Sequence, residues 1–170
     1  METFCYSKDM KTVSLANHFL FAGFTMRSAE PADILPIVAI INRAYSYQDA
    51  FKSEPRTDPE HLAGRVAETD FYVIETNQQL VGCVYLEPKE RALHFGLLTV
   101  VPQHRSSGLA PAIMQAIETC AKAESFSSIN FQFMSVAPWL EAYYQKYGFT
   151  RTGEVSEWGT IDLVGMSKAL

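Results

Sequence analysis

The sequence is poor in cysteine. Cys5, Cys83 and Cys120 are the only three in 170 residues, far apart and without a C-x-x-C pair. That spacing argues against a disulfide framework and a zinc ribbon, and makes a reducing, cytoplasmic setting the expectation. No apolar run reaches bilayer length, because the stretch 15–24 is broken by Asn17, His18 and Gly23, so no membrane partner is expected. A basic surplus is missing too: 19 acidic against 14 basic residues give a formal charge of −5, which argues against a nucleic-acid partner. Repeats, low-complexity tracts and Gly/Ser linkers are absent, as is any His, Cys, Asp and Glu set at metal-ligand spacing. One domain without a metal is the expectation. Two common phosphate motifs are also lacking, the Gly-Lys-Ser/Thr of a Walker loop and the G-x-G-x-x-G of a dinucleotide fold.

What is present is hydrophobic periodicity. It is missing only from the start, so residues 1–22 are read as an N-terminal arm and 23–170 as a single domain. A short strand is expected at 24–28. Pro31 then opens a helix in which Ile34, Ile37, Val38, Ile41 and Ala44 share a face. Residues 45–59 are polar and aromatic, hence a loop, and a short helix follows at 59–68. Runs 71–76, 80–86 and 92–101 read as an antiparallel meander, the last stopped by Pro102, which has no N–H for a ladder. The next helix places Leu109, Ile113, Met114, Ile117 and Ala121 on one face, and 127–136 alternates as a strand. Pro138 restarts a helix ending at Gly148, a residue suited to a left-handed cap, and strands at 149–157 and 160–166 close the chain. The order β-α-α-β-β-β-α-β-α-β-β predicts an α/β (α+β) fold, a twisted mixed sheet of about seven strands flanked by about four helices.

The chemistry is concentrated in Leu97-Leu98-Thr99-Val100-Val101-Pro102-Gln103-His104-Arg105-Ser106-Ser107-Gly108-Leu109-Ala110, a strand, a loop and a helix start. Small residues opening a helix can aim several backbone N–H groups at one point, and the positive end of the helix dipole favours an anion there. Phosphate is the expected anion.

These residues resemble the GNAT superfamily of acyl-CoA-dependent N-acetyltransferases, whose signature is Gln/Arg-x-x-Gly-x-Gly/Ala. Arg105-Ser106-Ser107-Gly108-Leu109-Ala110 fits it, and Tyr143-Tyr144-Gln145-Lys146-Tyr147-Gly148-Phe149 resembles the family's second signature, Leu-Tyr-Glu-Lys-Leu-Gly-Phe. The chain is also similar to a bacterial subgroup at Arg56-Thr57-Asp58, Gly96-Leu97-Leu98-Thr99-Val100 and Arg151-Thr152-Gly153-Glu154. The resemblance implies a β-bulge near Leu98–Val100 that splays the central strand from the next one and leaves a slot for acetyl-CoA as cosubstrate. The pantetheine arm would pair with backbone groups of Leu98 and Val100, the N–H of Leu98 or Thr99 would polarise the thioester, and Arg105, Ser106, Ser107, Gly108, Leu109 and Ala110 would take the pyrophosphate. Ser106 stands where the family often has Gly, and Ser107 where it often has a basic residue.

The implied reaction is direct transfer of an acetyl group to a primary amine of a small molecule or peptide. Tyr144 matches the family's general acid toward the CoA thiolate. The base is open: Gln132 stands where some members carry glutamate, and Ala137 where asparagine is frequent, which leaves His94, Glu87 and Glu141. His94 has the most suitable ionisation range. His104, beside the phosphate loop, can touch the cosubstrate. Acceptor recognition is expected from Tyr47 and Phe51 of the loop, with Trp139 and Glu141 on the far wall, an aromatic setting for an amine. Dimers are frequent among similar proteins, so a homodimer is an expectation. The competing reading is a non-catalytic acyl-CoA-binding sensor or assembly module of the same fold.

Overall fold

Apolar residues recurring every second position build the sheet, and those recurring every third or fourth build the helices that cover it. A computed structural model describes residues 14–170. Its elements are β1 (Thr25–Ser28), α1 (Ile34–Ala44), α2 (Pro59–Glu68), β2 (Asp70–Thr76), β3 (Gln79–Lys89), β4 (Ala92–Val100), α3 (Leu109–Ala123), β5 (Ser128–Met134), α4 (Trp139–Gln145), β6 (Thr150–Trp158) and β7 (Ile161–Ala169). The strands form one seven-stranded sheet in the order β1-β2-β3-β4-β5-β7-β6. All neighbours are antiparallel except β4 and β5, which run parallel through the crossover helix α3. This is the mixed sheet that the element order predicts.

Local signals explain the boundaries. Asp58 caps α2, its carboxylate accepting from the amide of His61 at 2.8 Å, and Pro59 occupies the first helical turn. β3 runs past Leu86, where its pairing with β2 ends, to Lys89. Pro88 is tolerated there because one side of the strand has left the ladder. The loop after α1 contains a 3-10 turn at Ser46–Gln48. Arg27 ties β1 to its neighbours, donating to both carboxylate oxygens of Asp33 (2.7 and 2.9 Å) and of Glu75 (3.2 and 2.6 Å). Of the N-terminal arm, residues 1–13 lie outside the described residues. Leu15 and Phe19 are buried against the sheet, and the Leu15 amide donates to the Tyr72 hydroxyl at 3.2 Å.

The sheet separates two apolar layers. Ile37, Ile41, Leu62, Phe71 and Val73 pack under α1 and α2. Leu93, Phe95, Ile113, Ile117, Ile129 and Phe131 pack with α3, α4 and the arm on the other face. β4 contributes to both. Leu93 and Phe95 face α3, yet Leu97, which strict alternation would put beside them, lies in the α1 layer. The cause is a β-bulge: Cys83 pairs with Thr99 and Tyr85 with Gly96, so β4 carries one residue more than β3 across the same span. Leu97 has φ of 51°, and its carbonyl accepts from the Thr99 hydroxyl (3.0 Å) and the Cys83 thiol (3.5 Å), which satisfies a group the ladder abandons. The bulge is centred on Leu97–Leu98, at the near edge of the 98–100 stretch where the family resemblance puts it.

Two glycines test this packing with opposite signs. A Cβ on Gly82, which pairs with Val100 beside the bulge, would stand 2.7 Å from the backbone oxygen of Thr99. Gly82→Ala should therefore destabilise the fold by about 1–3 kcal/mol, because the atom in the way is main chain and cannot swing aside. Gly64, inside α2, has no atom within 4 Å of such a Cβ, so Gly64→Ala should stabilise by about 0.5–1 kcal/mol. Urea-unfolding midpoints measure both.

Candidate functional site

Consequences of the bulge appear at the centre of the sheet. β4 pairs with β5 only over Ala92–His94 and Ser128–Asn130; beyond these the strands diverge, and the β5-facing edge of β4 has no strand partner. Two cavities use the gap. A groove of about 740 Å³ runs from Leu98 and Val100 along the loop Arg105, Ser106, Gly108 to Leu109 and Ala110, with Tyr143, Tyr144, Lys146 and Tyr147 opposite. A second cavity of about 190 Å³ is lined by Tyr45, Tyr47, Arg56, Tyr85, His94, Gln132 and the backbone around the bulge. The two share Leu98, Val100, Leu140 and Tyr144. The structure thus gathers all but two of the predicted cofactor residues around one groove; Thr99 lines the other cavity, and Ser107 lines neither.

The loop is shaped for an anion. Gly108 is the N-cap of α3 with φ of 89°, and Ser106 also takes a left-handed conformation at 65°. Among the described residues the amides of Ser106, Gly108 and Ala110 have no hydrogen-bond partner, while that of Leu109 is taken by the Ser107 hydroxyl at 3.3 Å. Ser107 in turn donates to the His104 carbonyl at 2.6 Å, so its side chain braces the turn from within. Pro111 lies in the first turn of the helix, where its missing N–H costs nothing. Arg105 donates from Nε to the Val100 carbonyl at 3.4 Å, and Arg105, His104 and Lys146 line the groove, giving it basic side chains as well as free amides. This donor set fits a diphosphate.

Tyr144 is placed by its ring. Phe131 lies 4.1 Å from it between centroids and Phe149 5.8 Å, which locks α4 against β5 through aromatic contacts. Its hydroxyl makes no hydrogen bond among the described residues, and the residue lines both cavities. Burial, then the neighbouring hydroxyls of Tyr45, Tyr143 and Tyr47, push its pKa well above that of free tyrosine, so the phenol keeps its proton. Tyr143 and Tyr147 face each other at 5.2 Å and wall the groove.

The acceptor side differs from the sequence expectation in part. Tyr47 lines the inner cavity, where burial raises its pKa, and its ring meets Trp139 edge-on at 5.4 Å. Trp139 itself lines the outer groove. Phe51 is 54% exposed and lines neither cavity, because its carbonyl is engaged by the Thr160 hydroxyl at 2.8 Å and the ring turns outward. Glu141 also stands outside both: Arg151 binds both its carboxylate oxygens at 2.7 and 2.6 Å, which holds its pKa below the usual carboxylate value. His94 does reach the inner cavity, but burial, with the nearby Lys89 charge, lowers its pKa to about 4. The residues not singled out from sequence are Tyr45, Arg56 and Lys146. Arg56 stood within a noticed Arg-Thr-Asp string, and Lys146 within the tyrosine signature; neither carries a local signal for which cavity it would face.

A family model described as an acetyltransferase (GNAT) domain matches residues 41–170. N-acetyltransferase 8B of Mus musculus is 26% identical over 102 residues, which are 55% of this chain and 44% of that protein. The chain spans less than half the length of the curated relatives it matches. Among solved structures, PaiA N-acetyltransferase from Thermoplasma acidophilum in complex with coenzyme A superposes with a TM-score of 0.70 at 14% identity, covering 86% of this chain and 99% of that one. Ard1 from Thermoplasma volcanium gives 0.70 at 19% identity, covering 88% and 99%. The two structural likenesses cover most of this chain and show the fold.

The histidine generates a pH prediction. Folded His94 releases its proton at about 4, an unfolded histidine at about 6.5, so between these values the unfolded chain binds more protons. Its contribution to stability is complete above pH 6.5 and is lost as the pH falls toward 4. Unfolding midpoints at pH 7 and pH 4.5 should drop for the wild type and drop less for His94→Gln; equal drops would show that His94 is not buried neutral.

Proposed function

The chain belongs to the GNAT acetyltransferase family, and from that premise we propose that it transfers the acetyl group of acetyl-CoA to an amine. The observation that carries this reading is the junction of the two cavities at Leu98, Val100 and Tyr144, where a groove ending in free amides meets a pocket of acceptor size. The amides of Ser106, Gly108 and Ala110 would hold the diphosphate, with Arg105 and Lys146 adding charge. The unpaired edge of β4 would take the pantetheine amides as an added strand.

Acetyl-CoA supplies a thioester carbon that a neutral amine can attack. As the new C–N bond forms, the C–S bond breaks, the sulfur leaves as thiolate and the amine gives up a proton. A backbone N–H at the bulge polarises the carbonyl, which requires no side chain. Tyr144 serves the sulfur. Its raised pKa makes it a hydrogen-bond donor to the thiolate rather than a group that surrenders its proton, since a thiol near 8.5 is the stronger acid. Among the described residues no Asp or Glu lines the inner cavity, and His94 is too weak a base for a task best performed near neutrality. The amine's proton therefore leaves to water, and the amine's own ionisation governs the rate.

Acetyl-CoA at roughly 100 times its dissociation constant should raise Tm by about 5–10 °C, while ATP and NAD should not. Tyr144→Phe should lower turnover by about 10²-fold and leave acetyl-CoA affinity near its original value. A non-catalytic acyl-CoA-binding module would instead bind the thioester and show no turnover with any amine. In an active enzyme log(kcat/KM) should climb with pH up to the pKa of the acceptor amine, with no inflection near 6.5; such an inflection would reveal a side-chain base.

A further inference from the structure

The inner cavity holds one permanent charge, Arg56, and among the described residues no carboxylate pairs with it. Arg56 lines the cavity with its Nε buried and without a hydrogen-bond partner. Among the described residues its guanidinium makes no hydrogen bond and no ion pair. The carboxylates beside it in sequence are engaged elsewhere, Glu54 with Lys52 at 3.8 Å and Asp58 at the start of α2.

The side chain is nevertheless held. Its guanidinium carbon lies 4.7 Å from the Trp158 ring centre and 5.4 Å from that of Tyr45, so aromatic faces flank it without offering a strong acceptor. The next residue is pinned on both sides by Asn42, which donates to the Thr57 carbonyl at 2.9 Å and accepts from the Thr57 amide at 3.0 Å. Thr160 ties the same loop to the β6–β7 hairpin that carries Trp158. Arg56 is thus fixed before any ligand arrives. The terminal guanidinium nitrogens, which no described residue engages, form a planar fork that matches a carboxylate.

The rest of the lining agrees. Tyr45, Tyr47, Tyr85 and Tyr144 surround the space with neutral phenols, His94 is uncharged at pH 7, and no acidic side chain is present among the described residues. A polyamine would bring several positive charges toward a cation that no described carboxylate neutralises. We propose that Arg56 binds a carboxylate carried by the acceptor, so that the substrate is an amine bearing an acid group, an amino acid or short acidic peptide in class. This assignment rests on the acetyl-transfer reading for the role of the cavity and on the unanswered guanidinium for its chemistry.

The test uses the full chain with acetyl-CoA and matched acceptors: alanine against alaninamide, glutamate against glutamine, and spermidine as a carboxylate-free amine. Calorimetric titration with N-acetylalanine and its carboxamide runs beside it and needs no turnover. Wild type should favour alanine over alaninamide at least about tenfold, by kcat/KM referred to the neutral amine of each, and bind N-acetylalanine more tightly than its amide by a similar factor. A preference for glutamate over glutamine but not for alanine over alaninamide would place the recognised carboxylate on a side chain, which still supports the assignment. Arg56→Gln should reduce the preference to about one through KM, and Arg56→Lys should restore part of it. A retained acetyl-CoA Tm shift shows that each variant is folded. If nothing is acetylated but N-acetylalanine binds wild type and not R56Q, the transfer reading fails and the Arg56 site stands. If amines are acetylated with acid and amide alike, if spermidine is the best acceptor, or if R56Q discriminates as well as wild type, the Arg56 assignment is overturned while transfer stands. Absence of both turnover and carboxylate binding overturns it as well.

Discussion

The organisation of this protein depends on one extra residue in β4. The bulge at Leu97–Leu98 turns the side-chain alternation over, sends Leu97 into the layer under α1, and leaves the following backbone without a partner in β5. A regular parallel pair would bury that edge in a ladder, and no cavity would open at the middle of the sheet. The local cost is contained because the bulged carbonyl is bonded by Thr99 and Cys83, both buried. Gly82 and Gly96 supply the close approaches around it: a Cβ on either would meet the Thr99 oxygen or the Tyr85 ring.

Around that gap the structure separates two kinds of polar environment. Toward α3, the free amides, Arg105 and Lys146 face an open groove. Toward α1 and α2, the lining is phenolic and aromatic, and ionisation is suppressed: Tyr45 is raised to about 12 and His94 lowered to about 4, both chiefly by burial. Low polarity of this kind strengthens any hydrogen bond made inside and penalises any charge left alone. Arg56 is the exception that such an environment makes conspicuous. Tyr144 stands at the boundary, its ring held by Phe131 and Phe149 and the residue lining both cavities.

Much of this is legible in the sequence. The periods of Ile34 to Ala44 and of Leu109 to Ala121 placed two helices, and Pro102 and Gly108 marked the strand end and the helix start, because those signals are local and act within a turn or two of chain. Gly148 takes the left-handed conformation that its place after the tyrosine helix implies. The acceptor wall was less legible. Phe51 and Glu141 looked suitable by residue type, but a side chain's direction depends on which partner captures it: Thr160 holds the main chain at Phe51, and Arg151 holds Glu141. Arg56 passed unassigned, since an arginine in a polar loop is indistinguishable by sequence from a solvated one.

The sequence by itself determined the element order, the mixed sheet and the strand-loop-helix turn that offers amides to an anion, all of which follow from periodicity and backbone preference over short spans. Tertiary structure alone decided how far β4 and β5 part, which side of the bulge each residue of β4 faces, and that a guanidinium from the loop after α1 enters the space between them. Those outcomes depend on pairings between separate elements, such as β4 with β3 and β5, and on contacts as distant in sequence as Arg56 with Trp158. Burial then fixes the charge state, and burial is a property of the assembled fold that no single segment carries.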